Sequence, residues 1–504
     1  MRQGMLPFQY AEEKSGKGLT GLGGLPTYLD LLQAAQLPQS IRRHVGMREA
    51  GQGYTDAQVI IPLVLLNLAG GDAVEDVRIL EKDGGLCRVL RRVEGSWLPR
   101  KARRRQDRRW RKERERTVPS ASAVQRYLGS FHDDGAEEGR LPHTAFIPQP
   151  NAALRGLGQV NGDLLAFIQK RDPQSTATLD GDATVVPSEK AEALYSYKGY
   201  PGYQPLSMYW AEQDMVVRSE FRDGNVPAGH EQRRVLEEAL ALLPRGVEQV
   251  YHRSDTAGYQ REVLEYCAEG KNQRFGVIEF AIGVDVTPEF RQAVGEVAEG
   301  AWHPLAREAE GRSYPTDQEW AEVCFVPNWV GHKKSSAEYR YLAIREPVRQ
   351  AVLPGLEEQL PFPTVLASGQ RYKISGVVTN RDLPGAALVR WYRQRCGKSE
   401  EAHHIMKEEL AGGKLPSGEF GKNAAWWGIM VLAFNLHSAM KRFLDPSWRQ
   451  KRLKAMRFSL IAVPGRVIQR GRQLFVRLSQ GHPSLNVLIN ARQRILAGAA
   501  DPTT

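Results

Sequence analysis

The apolar positions change rhythm along the 504 residues of the chain. Through the first quarter they follow a helical period. Thr55-Asp56-Ala57-Gln58 has the spacing of a capping box ahead of the apolar run VIIPLVLLNLA, and Gly70-Gly71 supplies a stop. A second helical pattern runs from about Asp72 to Glu81, and Pro119-Ser120 opens a third, ASAVQRYLGSF. Residues 132–151, HDDGAEEGRLPHTAFIPQPN, are rich in turn formers and acidic residues and read as a linker.

From about Thr176 the period shortens to that of strands. TATLDGDATVV reads as a strand, and LSMYWAE and MVVRSEFR, parted by Gln213-Asp214, read as a hairpin. GHEQRRVLEEALALL is an amphipathic helix, VEQVYHRSD a strand, YQREVLEYCAEG a helix and RFGVIEFAI a strand. Three strands followed by helix, strand, helix and strand imply an α/β fold with a mixed sheet covered by helices. Residues 300–380 hold further strand-like pieces, CFVPNWV, EYRYLAIRE and YKISGVVTN. Helical periodicity resumes near Ala386 and continues through NAAWWGIMVLAFNLHSAMKRFL.

Composition bounds the classes open to such a chain. A hydrophobic content of 41% can bury substantial cores, and the length suggests about two to four structural units. Lys and Arg number 69 against 58 Asp and Glu, and the net charge of +11 favours a polyanionic partner. The stretch RKARRRQDRRWRKERER, residues 100–116, carries eleven basic residues against three acidic ones. It reads either as a DNA-contacting arm beside the short helices or as a solvated basic segment. The four cysteines are scattered with no Cys-x-x-Cys pair, which fits a reducing cytoplasm and offers no structural zinc site. No signal peptide is apparent, and Ala424–Phe434 is too short an apolar run to cross a bilayer, so no membrane partner is expected.

Two glycine patterns carry no nucleotide site. Gly16-Lys17-Gly18-Leu19-Thr20-Gly21 lacks a preceding strand, and Gly397-Lys398-Ser399 has Tyr392 where a phosphate-binding loop needs its first glycine. The carboxylates are more informative. Asp180 and Asp182 lie two apart in a strand and so point to one face, where they need a cation or hydrogen-bond donors. Asp255 ends a later strand, where it can either join them or cap the following turn. In WYRQRCGKSEEAHHIMKEEL, residues 391–410, Glu400 and Lys407 are seven apart, two helical turns on one face, with Tyr392 and Arg395 just before them. Three acidic groups of this kind suit hard divalent ions that assist phosphoryl transfer. A zinc site using Glu400 and His404 is a weaker alternative, lacking further His or Cys at ligand spacing.

These residues carry a resemblance. Asp182-Ala183-Thr184, the run Arg253 to Tyr259 (RSDTAGY), and Tyr392 and Arg395 followed by Glu400 and Lys407 resemble the DDE transposases of bacterial insertion sequences. More narrowly, they are similar to the superfamily with a Tyr-Arg-Glu-Lys signature, as are GYQPLSMYW, VVTN and EEAHHIMKEELAGGKLPSG. The resemblance implies a ribonuclease-H-like mixed-sheet core, interrupted by a mainly β insertion for which the 144 residues between Asp255 and Glu400 leave room. A helical DNA-binding region precedes that core.

The expected organisation is then a basic helical region at 1–131, a linker and helix at 132–175, and the core at 176–299 and 381–445. The insertion takes 300–380 and a C-terminal region 446–504. By resemblance, Asp182, Asp255 and Glu400 form the catalytic metal-binding triad, with Mg²⁺ as cofactor and Mn²⁺ able to substitute. Tyr392, Arg395 and Lys407 contact the DNA end. The partners implied are double-stranded DNA, as terminal inverted repeats and target, and a second copy of the chain in a synaptic complex. Four residues instead of the family's three separate Arg395 from Glu400, so Glu401 competes with Glu400, as Asp180 does with Asp182. A nuclease of the same fold without strand transfer, and a non-catalytic DNA-binding derivative, are the rival readings.

Overall fold

The computed structural model describes residues 17–48, 53–97, 116–141, 144–309, 312–329, 339–349, 362–367 and 369–499. Of the arginine-rich stretch 100–116, only Arg116 falls among them. The chain forms two compact units. One gathers Met1–Glu138, Gln149–Phe167 and Ile405–Thr504; the other comprises Gly139–Pro148 and Ile168–His404.

The first unit is helical where its sequence is helically periodic. Thr55 caps the helix Asp56–Ala69 reciprocally with Gln58, and Gly70 closes it with φ 95°, a conformation open to glycine at no steric cost. Every residue from Asp56 to Leu68 is buried, as befits a helix apolar on all sides. It packs against Phe420–Phe443, the helix that holds the most apolar run of the chain. Trp426 is fully buried in that helix and donates its indole N–H to Ala411 O at 2.8 Å, a core role. Among the described residues no single helix is long and apolar enough to cross a membrane. The same unit contains the C-terminal hairpin Gly465–Arg470 and Gln473–Leu478 and the helix Ser484–Ala499.

The second unit is built on a large mixed sheet. Its principal strands are β1 (Thr176–Ala183), β2 (Leu206–Trp210), β3 (Met215–Glu220), β4 (Gln249–Ser254), β5 (Glu279–Val284), β6 (Glu319–Val323), β7 (Arg340–Pro347) and β8 (Gln370–Thr379). They lie in the order β3-β2-β1-β4-β5-β8-β7-β6. The strands β1, β4 and β5 are mutually parallel, and all other neighbours are antiparallel. The β2–β3 hairpin turns at Gln213-Asp214 as the sequence predicts, with Asp214 at φ 50°.

The β-rich segment after residue 300 extends this sheet through the pairing of β8 with β5, Gly376↔Val284 to Thr379↔Ala281. One strand expectation fails there: the strand is Glu319–Val323, and CFVPNW runs on beyond it without pairing. Pro327 has no N–H to give a ladder, which is why apolar content alone misplaces the element. The helix Gly385–His404 follows β8 and buries Leu388 and Val389 against Ala281, Leu342 and Val377 of the sheet. Burial of that kind contributes roughly 1.5–3 kcal/mol per aliphatic side chain.

His252 of β4 is fully buried, its Nδ1 3.0 Å from Leu179 O, and burial lowers its pKa from 6.5 to about 4. The unfolded chain therefore binds the proton first as pH falls. Stability is expected to drop by about 3 kcal/mol between pH 6.5 and pH 4 from this group. Denaturant titrations at both ends of that window should show the drop shrink by that amount in His252→Asn; an unchanged difference would rule the assignment out.

Candidate active site

The parallel strands β1 and β4 are in register through Gly181↔Ser254, and Asp182 and Asp255 stand one step beyond that last pair. Adjacent strands lie about 4.8 Å apart, so the two carboxylates share one edge of the sheet. Ser254 Oγ donates to Gly181 O at 3.2 Å and holds the two chain ends together. Asp255 also accepts from Ala257 N–H at 3.1 Å, which caps the short turn Thr256–Gly258. Capping and edge position thus coexist in one residue.

The helix Gly385–His404 supplies the other wall. Arg395 Nη1 lies 3.7 Å from Asp182 Oδ2, Ser399 Oγ 3.4 Å and His403 Nδ1 3.6 Å from the same oxygen. Residues 395, 399 and 403 repeat every four positions and so form one helix face. Tyr392 stands one turn earlier, the Arg395 guanidinium 5.7 Å from its ring centroid. Arg395 Nε is buried with no hydrogen-bond partner among the described residues.

The electrostatics are those of crowded carboxylates. Burial raises the pKa of Asp182, the Arg395 charge opposes that, and Glu400 adds to it. Burial likewise raises Asp255, and the charge on Asp182 raises it further. Asp285, just past β5, is raised by burial and then by Asp255. Burial is the first cause in all three, and the carboxylate charges add to it in one direction, Asp182 on Asp255 and Asp255 on Asp285, a repulsion that a nearby cation would ease.

Asp180 takes a different part. It is fully buried, and Arg253 grips it with two bonds, Nε to Oδ1 at 2.6 Å and Nη2 to Oδ2 at 2.9 Å. Burial pushes the carboxyl's pKa up and the bidentate guanidinium pulls it back. Arg253 also donates from Nη1 to Trp391 O at 2.6 Å and lies 5.1 Å from the Trp391 ring centroid. Arg381 stacks on the same ring at 4.3 Å. Arg253 thus ties β4 to β1 and to the helix Gly385–His404, and Asp180 is its counter-ion.

The remaining expected residues lie further out. Glu400 is exposed, one position round the helix from buried Ser399, and acts on Asp182 through its charge. Glu401 and His404 are exposed as well. At Ile405 the α-helix gives way to a π-helical turn, Ile405–Glu409, that carries Lys407 and belongs to the first unit. The seven-residue spacing from Glu400 to Lys407 therefore does not run along one regular α-helical face, because a π turn takes an extra residue.

Ser399, His403, Asp285 and Gly283 are missing from the sequence-based set. The first two were findable, since they follow Arg395 at steps of four. Gly283 was not: a Cβ there would lie 2.8 Å from Tyr392 Oη, 3.1 Å from Thr256 N and 3.3 Å from Asp255 C. Its bare Cα lets the tyrosine hydroxyl settle against the Asp255 turn. Gly283→Ala is expected to cost about 1–3 kcal/mol in stability and, through misplacement, about a hundredfold in strand cleavage. A variant that cleaves like wild type would remove Gly283 from the site.

The acidic donors at this edge, Asp182 and Asp255, are oxygen, which suits a hard divalent cation. Among the described residues no three His, Cys, Asp or Glu side chains are grouped at ligating distance. Asp182 and Asp255 are the part of such a donor set that the fold holds in place, with the Arg395 guanidinium beside Asp182.

By family the chain belongs to the DDE transposases. The match is to the transposase DDE domain of group 1, over residues 13–345 and 362–499. Membership carries the use of a divalent metal and the cutting of DNA by the family's enzymes. Among solved structures, the cryo-EM structure of a piggyBac transposase synaptic complex with hairpin DNA is similar at 10% identity with a TM-score of 0.42, covering 97% of this chain and 85% of that one. No curated protein matches the chain.

Proposed function

We propose that the protein is a Mg²⁺-dependent transposase that cuts DNA at the terminal inverted repeats of a bacterial insertion sequence and joins the freed 3′ ends to target DNA. The observation that carries this reading is the carboxylate pair Asp182 and Asp255 at the ends of neighbouring parallel strands, faced by Arg395. The sheet order β3-β2-β1-β4-β5, with β1, β4 and β5 parallel, supports a ribonuclease-H-like core, and β6 to β8 correspond to the insertion.

Asp182, Asp255 and Glu400 would hold the cation. When bound, it supplies charge neutralisation at the scissile phosphate and makes water or a 3′-hydroxyl easier to deprotonate. The chain's own residues do the rest. Ser399 and His403 orient the Asp182 carboxylate from the helix side. The Arg395 guanidinium, 3.7 Å from Asp182 Oδ2, offsets the charge of the two aspartates and attracts a phosphate to this edge. Tyr392, set against the Asp255 turn by Gly283, contacts the DNA end. Cutting two ends together calls for a homodimer on the paired ends, working in the bacterial cytoplasm.

The test is an incubation of the wild-type protein with a labelled duplex carrying the element's ends and an unlabelled plasmid. Joined products that appear in Mg²⁺ or Mn²⁺ and vanish in EDTA are expected. Cuts without joining would make the protein a nuclease, and binding without cuts a non-catalytic DNA-binding derivative.

A further inference from the structure

The charge of this chain is concentrated in its last tenth. Residues 446–500 contain eleven Lys and Arg and no Asp or Glu, a segment charge equal to the +11 of the whole chain. The remainder is therefore balanced. Several of the eleven are occupied inside the first unit. Arg457 donates to Asn67 O, Leu68 O and Glu409 O, while Arg492 pairs with Asp30 and Arg494 with Asp445. Four others sit on the hairpin Gly465–Arg470 and Gln473–Leu478: Arg466, Arg470, Arg472 and Arg477. All four are exposed, and none makes an ion pair among the described residues.

Strand alternation sorts the hairpin into two faces. Val467 is buried on the inner face, and its N–H is bonded to Gly18 O at 2.6 Å. The outer face brings Arg466 opposite Arg477, Ile468 opposite Phe475 and Arg470 opposite Gln473. Like charges placed directly across an antiparallel pair destabilise it, so the fold gains nothing from Arg466 and Arg477 in that register. The hairpin is nonetheless braced. From the helix Gly84–Trp97, Arg88 Nη1 donates to Val467 O at 3.2 Å and Arg92 Nη2 to Arg472 O at the turn at 2.9 Å. Two more cations thus stand behind the ribbon.

We propose that this hairpin is a duplex-DNA-binding ribbon, distinct from the carboxylate edge, whose outer arginines grip the phosphate backbone across a groove. The first strand of the hairpin also pairs at its base with Leu19–Thr20, so the arginines stand on one face of a small three-stranded sheet whose strands, about 20 Å long, can lie along the backbone over roughly half a helical turn. Arg466, Arg477 and Arg470 line the phosphate-facing side, and Phe475 offers an exposed ring between them. The contact is to the backbone, so it is independent of sequence. The choice of DNA among polyanions rests on the transposase reading above.

The test uses the full chain and a short fluorescein-labelled duplex of arbitrary sequence, titrated by anisotropy over a salt series. For Arg466→Gln/Arg477→Gln, affinity near physiological salt should fall about tenfold, and the slope of log K against log salt should drop by about 1.8. Arg477→Glu should bind still more weakly yet melt at a higher temperature than wild type, because it relieves the cross-strand repulsion. Affinity and slope equal to wild type in both folded variants would overturn the ribbon while leaving the transposase reading standing. A wild-type chain that binds no duplex would overturn both.

Discussion

Asp182→Asn should leave the protein folded and at least as stable as wild type while reducing strand cleavage by about 10³-fold or more, a loss on the order of 4 kcal/mol of transition-state stabilisation. Two opposite outcomes arise from one feature. The carboxylate is buried beside Asp255 and in reach of the Glu400 charge, and burial together with that charge holds its pKa above the usual range. An amide keeps the shape and one acceptor for Ser399 but removes the crowded negative charge. Under the proposed function, cutting needs the charge and folding does not. Thermal melting alongside single-turnover nicking of an end-labelled duplex measures both. A variant that cuts normally, or one that loses activity only because it has unfolded, would contradict this view of Asp182.

Asp180→Ala, two residues earlier on the same strand face, is expected to fail in the opposite way. It strands the guanidinium of Arg253, which is 2% exposed and donates to Trp391 O as well. Breaking a buried pair by removing one partner costs about 3–5 kcal/mol, because the surviving charge has neither water nor counter-ion. The midpoint of denaturant unfolding should shift accordingly. The double variant Asp180→Leu/Arg253→Met, which removes both charges and keeps apolar volume, should recover most of that loss. A single variant as stable as wild type would show that Arg253 finds another partner and that the pair does not anchor the helix Gly385–His404.

The contrast between these two aspartates marks what local sequence conveys. Period-two geometry places both on one face, and it is silent on which is already neutralised. That depends on Arg253, which is 73 residues away in sequence and reaches Asp180 only because β4 pairs parallel with β1. Elements whose signals are local were readable: the Thr55 capping box, the Gln213-Asp214 turn, and the strand, helix, strand order from residue 176.

Long-range features were not readable. The N-terminal helices and the last hundred residues form one compact unit, and the β-rich segment after residue 300 continues the large sheet through the pairing of β8 with β5. Helical periodicity carried Glu400 and Lys407 onto a single face because a π turn at Ile405 leaves no signature in apolar spacing. The same periodicity, applied from Arg395 in steps of four, leads directly to Ser399 and His403, the two side chains nearest to Asp182 on the helix side.

The claim that the Asp182–Asp255 edge is the cutting centre is tested most directly by single-turnover cleavage of an end-labelled duplex bearing the element's terminal repeats. Wild type, Asp255→Asn and Glu400→Gln would be compared in Mg²⁺ and in EDTA, with DNA affinity measured in parallel. Cuts at the element boundary are expected in Mg²⁺ and not in EDTA, and are expected to be absent in both variants although each still binds the duplex. Metal-dependent cuts that persist undiminished in folded Asp255→Asn would place the chemistry elsewhere in the protein.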